Sequence, residues 1–128
     1  MPRGAGKRAG LSGAARRGGM RMMAVQSPMA AFGGCEFATF RLLPSVDAAR
    51  ITEAAARMRD GFLRRQHGFL AHALLQGDGG LWADMVFAAT RADAERICAA
   101  FMDHAVCRDY LALMEPGSAH LGFWSRAA

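Results

Sequence analysis

The chain has 128 residues, 52% of them hydrophobic, and a formal net charge of +5. That length fits one domain plus a tail, and so much apolar side chain excludes a wholly disordered chain. The charge is unevenly placed: Arg3, Lys7, Arg8, Arg16, Arg17 and Arg21 stand in residues 1–34 without an acid, whereas residues 35–128 hold ten Arg against eleven Asp and Glu, a balance of −1. The folded part therefore lacks the basic excess that marks a nucleic-acid partner.

Residues 1–34 are rich in Gly, Ala, Arg and Met and show no apolar periodicity. They are expected to form a disordered basic extension ahead of a domain at 35–128. Arg16-Arg17 resembles a twin-arginine export signal, yet no apolar run follows it, and Met20, Met22, Met23 and Met29 leave room for a later start. No apolar run approaches the roughly 20 residues of a membrane span, so no membrane partner is expected. Cys35, Cys98 and Cys107 form no C-x-x-C pair, which points to free thiols in a reducing, cytoplasmic setting, with no metal.

Along the domain, Cys35 to Leu43 reads as a first strand stopped by Pro44. Ser45 or Asp47 is placed to cap a helix whose apolar face is Ile51, Ala55, Met58 and Phe62. Its other face carries Arg50, Glu53, Arg57, Asp60 and Arg64, a solvated stripe with two favourable i,i+4 pairs. Gly68 suits a left-handed cap, and His67 is a helix-end cation. Two strand-like runs between Phe69 and Ala89 flank Gly77-Asp78-Gly79-Gly80, a hairpin turn. Thr90 to Asp93 resembles a capping box, followed by Ala94, Ile97, Cys98 and Phe101 at helical spacing. Asp103 is placed to cap a further short helix over Cys107, Tyr110 or Leu111, and Met114, with His104 also expected at that cap; Pro116-Gly117 ends it. Ala119 to Ser125 closes the chain as a strand.

The order βαββαβ makes an α+β sandwich, ferredoxin-like, with a four-stranded antiparallel sheet covered by helices on one face. Right-handed crossovers put strands one and three in the centre. Alternation divides each strand between two faces. The nearly all-apolar set is expected under the helices: Ala38, Phe40 and Leu42; Phe69, Ala71, Ala73 and Leu75; Ala83, Met85 and Phe87; Leu121 and Phe123. The mixed set is expected on the open face as a pocket or interface: Thr39 and Arg41; Leu70, His72 and Leu74; Trp82, Asp84 and Val86; His120 and Trp124.

The succession CEFATFRLLPSVD, GFLAHALLQGDGGLWADMVFAAT and RADAERICAAFMDHAVCRDYLALM, with a closing strand, resembles the antibiotic-biosynthesis-monooxygenase-like family over roughly residues 35–126. The marks are a first strand ending at Pro44, the Gly68-Phe69 entry into strand two, and the Asp103-His104 break. The resemblance implies a homodimer that pairs through the open sheet face into a dimeric α/β barrel. Its pocket would lie between sheet and helices or within the barrel. The family includes cofactor-independent oxygenases of polycyclic phenols and quinones, as well as haem-degrading members. The haem-degrading pattern has an Asn on strand one, a Trp at the end of strand three and a His on the helix after helix two. Here strand one has no Asn, and Phe87 and the neighbourhood of Tyr110 stand at the other two places.

Within this frame His72 is the candidate catalytic base toward a phenol, since its ordinary pKa is roughly 6.5. Arg41, Trp82, Asp84, His120 and Trp124 are candidate substrate-binding residues. Each has a structural alternative: a satisfied interface histidine, a buried Arg41–Asp84 pair, aromatic packing, and an edge-strand His120 facing water. No nucleophile elbow or phosphate loop is present. Two functions remain open. One is a monooxygenase for an aromatic small molecule that works without metal, flavin or other cofactor. The other is a non-catalytic dimeric barrel that binds a small apolar ligand or serves as an assembly module.

Overall fold

Four strands form one antiparallel sheet in the order β2-β3-β1-β4: β1 Gly34–Arg41, β2 Phe69–Gln76, β3 Leu81–Ala88 and β4 His120–Ser125. Helices α1 Ala48–Gly61, α2 Arg91–Ala100 and α3 Ala105–Leu111 lie between them. The computed structural model describes residues 28–128, and residues 32–128 form one compact unit. Pro28–Ala31 makes a short 3-10 turn ahead of it. The expected disordered extension otherwise falls outside the described residues. The α+β, ferredoxin-like architecture is the expected one, with strands one and three central.

Local signals account for the helices. Asp47 caps α1 by accepting from the Arg50 amide at 2.8 Å. Ile51, Ala54, Ala55 and Met58 are its buried stripe, and Phe62 and Leu63 continue the core past its end. Each such large apolar side chain contributes about 1.5–3 kcal/mol. The opposite stripe forms the pairs Glu53–Arg57 at 3.2 Å and Asp60–Arg64 at 2.8 Å, all well exposed. Thr90 caps α2 by accepting from the Asp93 amide at 3.0 Å. The Asp93 carboxyl then turns to Arg96 at 2.7 Å, and that hydrogen bond holds it below the ordinary carboxylate range. Asp103 does not cap α3. It ends a 3-10 turn, and His104 occupies the cap position without a side-chain cap bond, its ring 4.7 Å from that of Phe62.

Two glycines are required by geometry. Gly68 enters β2 at φ +84°, where an added Cβ would run into the Asp93 carboxyl, and Gly34 opens β1 against the Arg91 backbone where no Cβ fits.

The register divides the sheet faces differently from the expectation. Across β1 and β3, Glu36 pairs with Val86, Ala38 with Asp84 and Phe40 with Trp82; across β2 and β3, His72 pairs with Val86 and Leu74 with Asp84. Paired residues share a face. Phe40, Trp82, Val86 and Ala88 are core residues, so this whole set lies under the helices. The expectation is right for β1 and β4 and inverted for most of β2 and β3. A bulge at Leu70, between Phe69 and Ala71, returns Phe69 to the helix side.

The open face carries Phe37, Ala73 and Met85 in one row and Thr39, Leu75, Ala83 and His120 in the next. Trp124, Leu81 and Leu75 project from it with 61%, 39% and 46% of their surface exposed. Phe32 packs edge-on against Phe87 at 5.3 Å, under the Arg126 guanidinium.

Candidate functional site

A cavity of about 270 Å3 lies between the helix-covered sheet face and helices α2 and α3. Strands β1 and β3 supply Glu36, Ala38, Phe40, Asp84 and Val86; the helices and the turn between them supply Cys98, Phe101, Met102, Tyr110 and Leu111. Met102 and Leu121, both more than half exposed, mark its mouth. Its lining is apolar except at Glu36, Asp84, Cys98 and Tyr110.

Asp84 is the centre of the polar part. It is only 9% exposed, and its Oδ2 accepts from the Tyr110 hydroxyl at 2.6 Å and from His72 Nε2 at 2.8 Å. Arg59 of α1 donates its Nε–H to His72 Nδ1 at 3.3 Å. That donor leaves Nδ1 as the acceptor, so the proton sits on Nε2 and points at Asp84. The His72 side chain has no exposed surface. It does not line the cavity; Asp84 stands between it and the space. Burial, and after it the Asp84 charge, push the Tyr110 hydroxyl above its ordinary pKa, so it remains an O–H donor.

Glu36 stands beside this network. The one hydrogen-bond donor to its carboxyl among the described residues is the Cys98 thiol, 3.7 Å from Oε2. Burial first, and the Asp84 charge second, push its carboxyl up to about 7, against the lowering effect of the Cys98 bond. The Cys98 thiol is itself pushed up to about 11 by burial and then by the Glu36 charge, which favours the protonated thiol donor.

The six residues singled out from the sequence fall on two faces. His72, Asp84 and Trp82 are under the helices, Trp82 as a core residue at 6% exposure. Arg41, His120 and Trp124 are on the open face. Arg41 and Asp84 therefore do not pair. Arg41 Nη1 donates to the Gly79 carbonyl at 2.6 Å, tying β1 to the hairpin turn, and its backbone N–H donates to Ser118 Oγ at 3.0 Å. Arg41 and His120 border an open-face hollow of about 390 Å3 with Thr39, Leu81, Glu115 and Ser118. That hollow is larger, but it has no buried polar group, whereas the covered cavity has Asp84 and Tyr110. The covered cavity is the better site on physical grounds.

Sequence reasoning missed Glu36 and the hydroxyl of Tyr110. The signal for Glu36 was present: it has the parity of Ala38 and Phe40, so it puts a carboxyl on the covered face. Among the described residues, no three His, Cys, Asp or Glu gather as metal ligands, and no helix is long and apolar enough to cross a membrane.

No protein-family model and no curated protein matches the chain. Solved structures do. SnoaB, a cofactor-independent oxygenase from Streptomyces nogalater, is 20% identical with a TM-score of 0.57, over 77% of this chain and 96% of that one. A monooxygenase from the gene ActVA-Orf6 of Streptomyces coelicolor, in complex with nanaomycin D, is 17% identical with a TM-score of 0.60, over 77% and 91%. A protein of unknown function from Nitrosomonas europaea is 16% identical with a TM-score of 0.54, over 77% and 92%. The chain thus shares its fold with the antibiotic-biosynthesis-monooxygenase-like proteins.

Proposed function

We propose that the chain is a small monooxygenase for a planar aromatic or polycyclic substrate, and that the substrate occupies the covered cavity. The observation that carries this is the buried chain of hydrogen bonds from Arg59 through His72 to Asp84, joined by Tyr110, which ends at the wall of a mostly apolar space. Buried polar groups of this kind, aimed into an apolar pocket, are what position a reacting group. The volume is slightly below the roughly 300–1,000 Å3 of drug-sized sites, which suits a compact fused-ring molecule. The fold shared with an oxygenase and a monooxygenase supports this reading by analogy.

The chemistry needs no metal or flavin when the substrate is its own reductant. The hydroxyl of the substrate's phenol tautomer loses its proton to a carboxylate of the cavity wall, the resonance-stabilised carbanion passes an electron to dioxygen, and the two radicals combine into a peroxide that takes the proton back. The hydroperoxide then releases water and leaves a carbonyl, so dioxygen accounts for both product oxygens. Asp84 orients a substrate hydroxyl. His72 acts through Asp84 as a positioning residue, and Trp82, Arg41, His120 and Trp124 do not touch substrate bound in this cavity. The open face, with Trp124, Leu81 and Leu75 exposed, closes against a second copy into a barrel; exposed large apolar side chains on a sheet face suit such an interface.

A second reading is favoured by one observation: both ring nitrogens of His72 and Oδ2 of Asp84 are already engaged. The network then only holds β2, β3, α1 and α3 together, and the cavity binds an apolar ligand without turnover. Oxygen uptake with an anthrone separates the two. Uptake that falls at least about 100-fold in Asp84→Asn supports the enzyme. Saturable binding without uptake supports the carrier.

A further inference from the structure

The covered cavity offers a ligand acceptors and no free cation. Its titratable lining among the described residues is Glu36 of β1, Asp84 of β3, Cys98 of α2 and Tyr110 of α3. The Tyr110 hydroxyl and the Cys98 thiol are donors, and both are spent on the two carboxyls. From β4, Leu121 lines the space and brings no charge, and Phe123, which pairs with Glu36, brings none either. His72 and Arg59 stand behind Asp84 and outside the lining. A carboxylated or phosphorylated ligand would meet carboxyls in a space that repels it. An uncharged molecule with a hydroxyl to donate meets two acceptors.

The two carboxyls are not equivalent. Asp84 faces Ala38, two residues along β1 from Glu36, so they are diagonal neighbours on adjacent strands. Asp84 Oδ2 has two strong donors within 2.8 Å. Glu36 has one weak donor at 3.7 Å, so its oxygens are little committed. Carboxyls in one site whose surroundings differ in this way divide into a fixed anion and a proton carrier.

We propose that Glu36 is the catalytic residue that takes the proton of a hydroxylated aromatic ligand, while Asp84 is the fixed acceptor that orients it. The step is a plain proton transfer. The ligand O–H bond breaks, its electron pair stays on the ligand oxygen, and the proton forms a bond to a Glu36 carboxylate oxygen. Negative charge in the cavity is the same before and after. Burial and the Asp84 charge set Glu36 near 7, within the range of a useful base at neutral pH. The inference rests on the reading that the cavity holds a hydroxylated aromatic molecule.

The test uses the full chain and 2-naphthol, with 2-naphthoate as the anionic counterpart, by calorimetry between about pH 6 and about pH 8. A ligand that needs Glu36 ionised binds in proportion to the ionised fraction, so its affinity should rise about tenfold across that range. Naphthoate affinity should fall as pH rises. In Glu36→Gln the naphthol step should vanish. As a check that needs no variant, the Glu36 carboxyl carbon resonance should titrate near 7 in the free protein. A naphthol affinity that does not change with pH, or a step that persists in Glu36→Gln, overturns the inference; so does titration of Glu36 below about pH 5.5. If anthrone oxidation proceeds while either result holds, the inference fails and the functional reading stands. If naphthol binds at no pH the inference fails, and the functional reading fails with it only if anthrone is not oxidised either.

Discussion

The two faces of the sheet have similar apolar content and opposite polar logic. On the covered side, His72 and Tyr110 both bond to Asp84, and Glu36 borders them at the wall of the cavity. On the open face, Arg41 spends its guanidinium on the Gly79 carbonyl, and His120 lies in an exposed row. Polar residues under helices are costly unless they are partnered, so Asp84, His72 and Tyr110 form a network, and Glu36, with only a thiol donor, shows the cost as a raised pKa. Polar residues on the open face are solvated and need no such account. Function is therefore better sought where polar groups are expensive than where they are frequent.

The two tryptophans break or sharpen this contrast most strongly. Trp82 is 6% exposed and part of the core, while Trp124 is 61% exposed. Trp82→Ala should cost about 3–5 kcal/mol in urea denaturation. Trp124→Ala should cost at most about 0.5 kcal/mol at protein concentrations too low for self-association. Light scattering should show the reverse ranking: Trp124→Asp lowers the mass of a dimer and Trp82→Ala leaves it alone. If the two cost the same stability, the assignment of faces is wrong.

Asp84→Ala comes next. It removes the acceptor of both the Tyr110 hydroxyl and His72 Nε2, and it leaves Arg59 and His72 facing an apolar gap. A loss of about 3 kcal/mol is expected, because two buried donors lose their acceptor at about 1–3 kcal/mol each and water entering from the cavity offsets part of that. Asp84→Asn keeps an oxygen acceptor and should lose less. A loss below about 1 kcal/mol for the alanine variant would mean that the network contributes little to stability.

The fold was largely legible in the sequence, since caps, turn glycines and helical spacing act locally. Asp47, Thr90 and the run from Gly77 to Gly80 do what their residue types dictate. The site was only half legible. His72 and Asp84 stood out as polar residues within apolar strands, but their face was read from composition. That inference fails when the open face is also apolar, as Ala73, Met85, Ala83 and Phe37 make it here. The bulge at Leu70 adds a second break in parity within β2. Tyr110 was hidden for a different reason: its helical spacing gives its burial, while the partner of its hydroxyl is a strand residue 26 positions away.

The smallest effect expected from a polar side chain tests the separation of the faces most directly. Arg41 is exposed, and its hydrogen bond to the Gly79 carbonyl helps to set the turn between β2 and β3, so Arg41→Ala should cost about 0.5–1 kcal/mol. Asp84 lies on the other side of the sheet and shares no partner with it. In a double-mutant cycle by urea denaturation, the costs of Arg41→Ala and Asp84→Ala should therefore add to within about 0.5 kcal/mol. Had the two side chains formed a buried pair, removing either would strand the other, and the double variant would recover much of the loss. Such recovery would place both side chains on one face and contradict the register of β1 against β3. Additivity leaves Asp84 to the cavity and Arg41 to the hairpin turn.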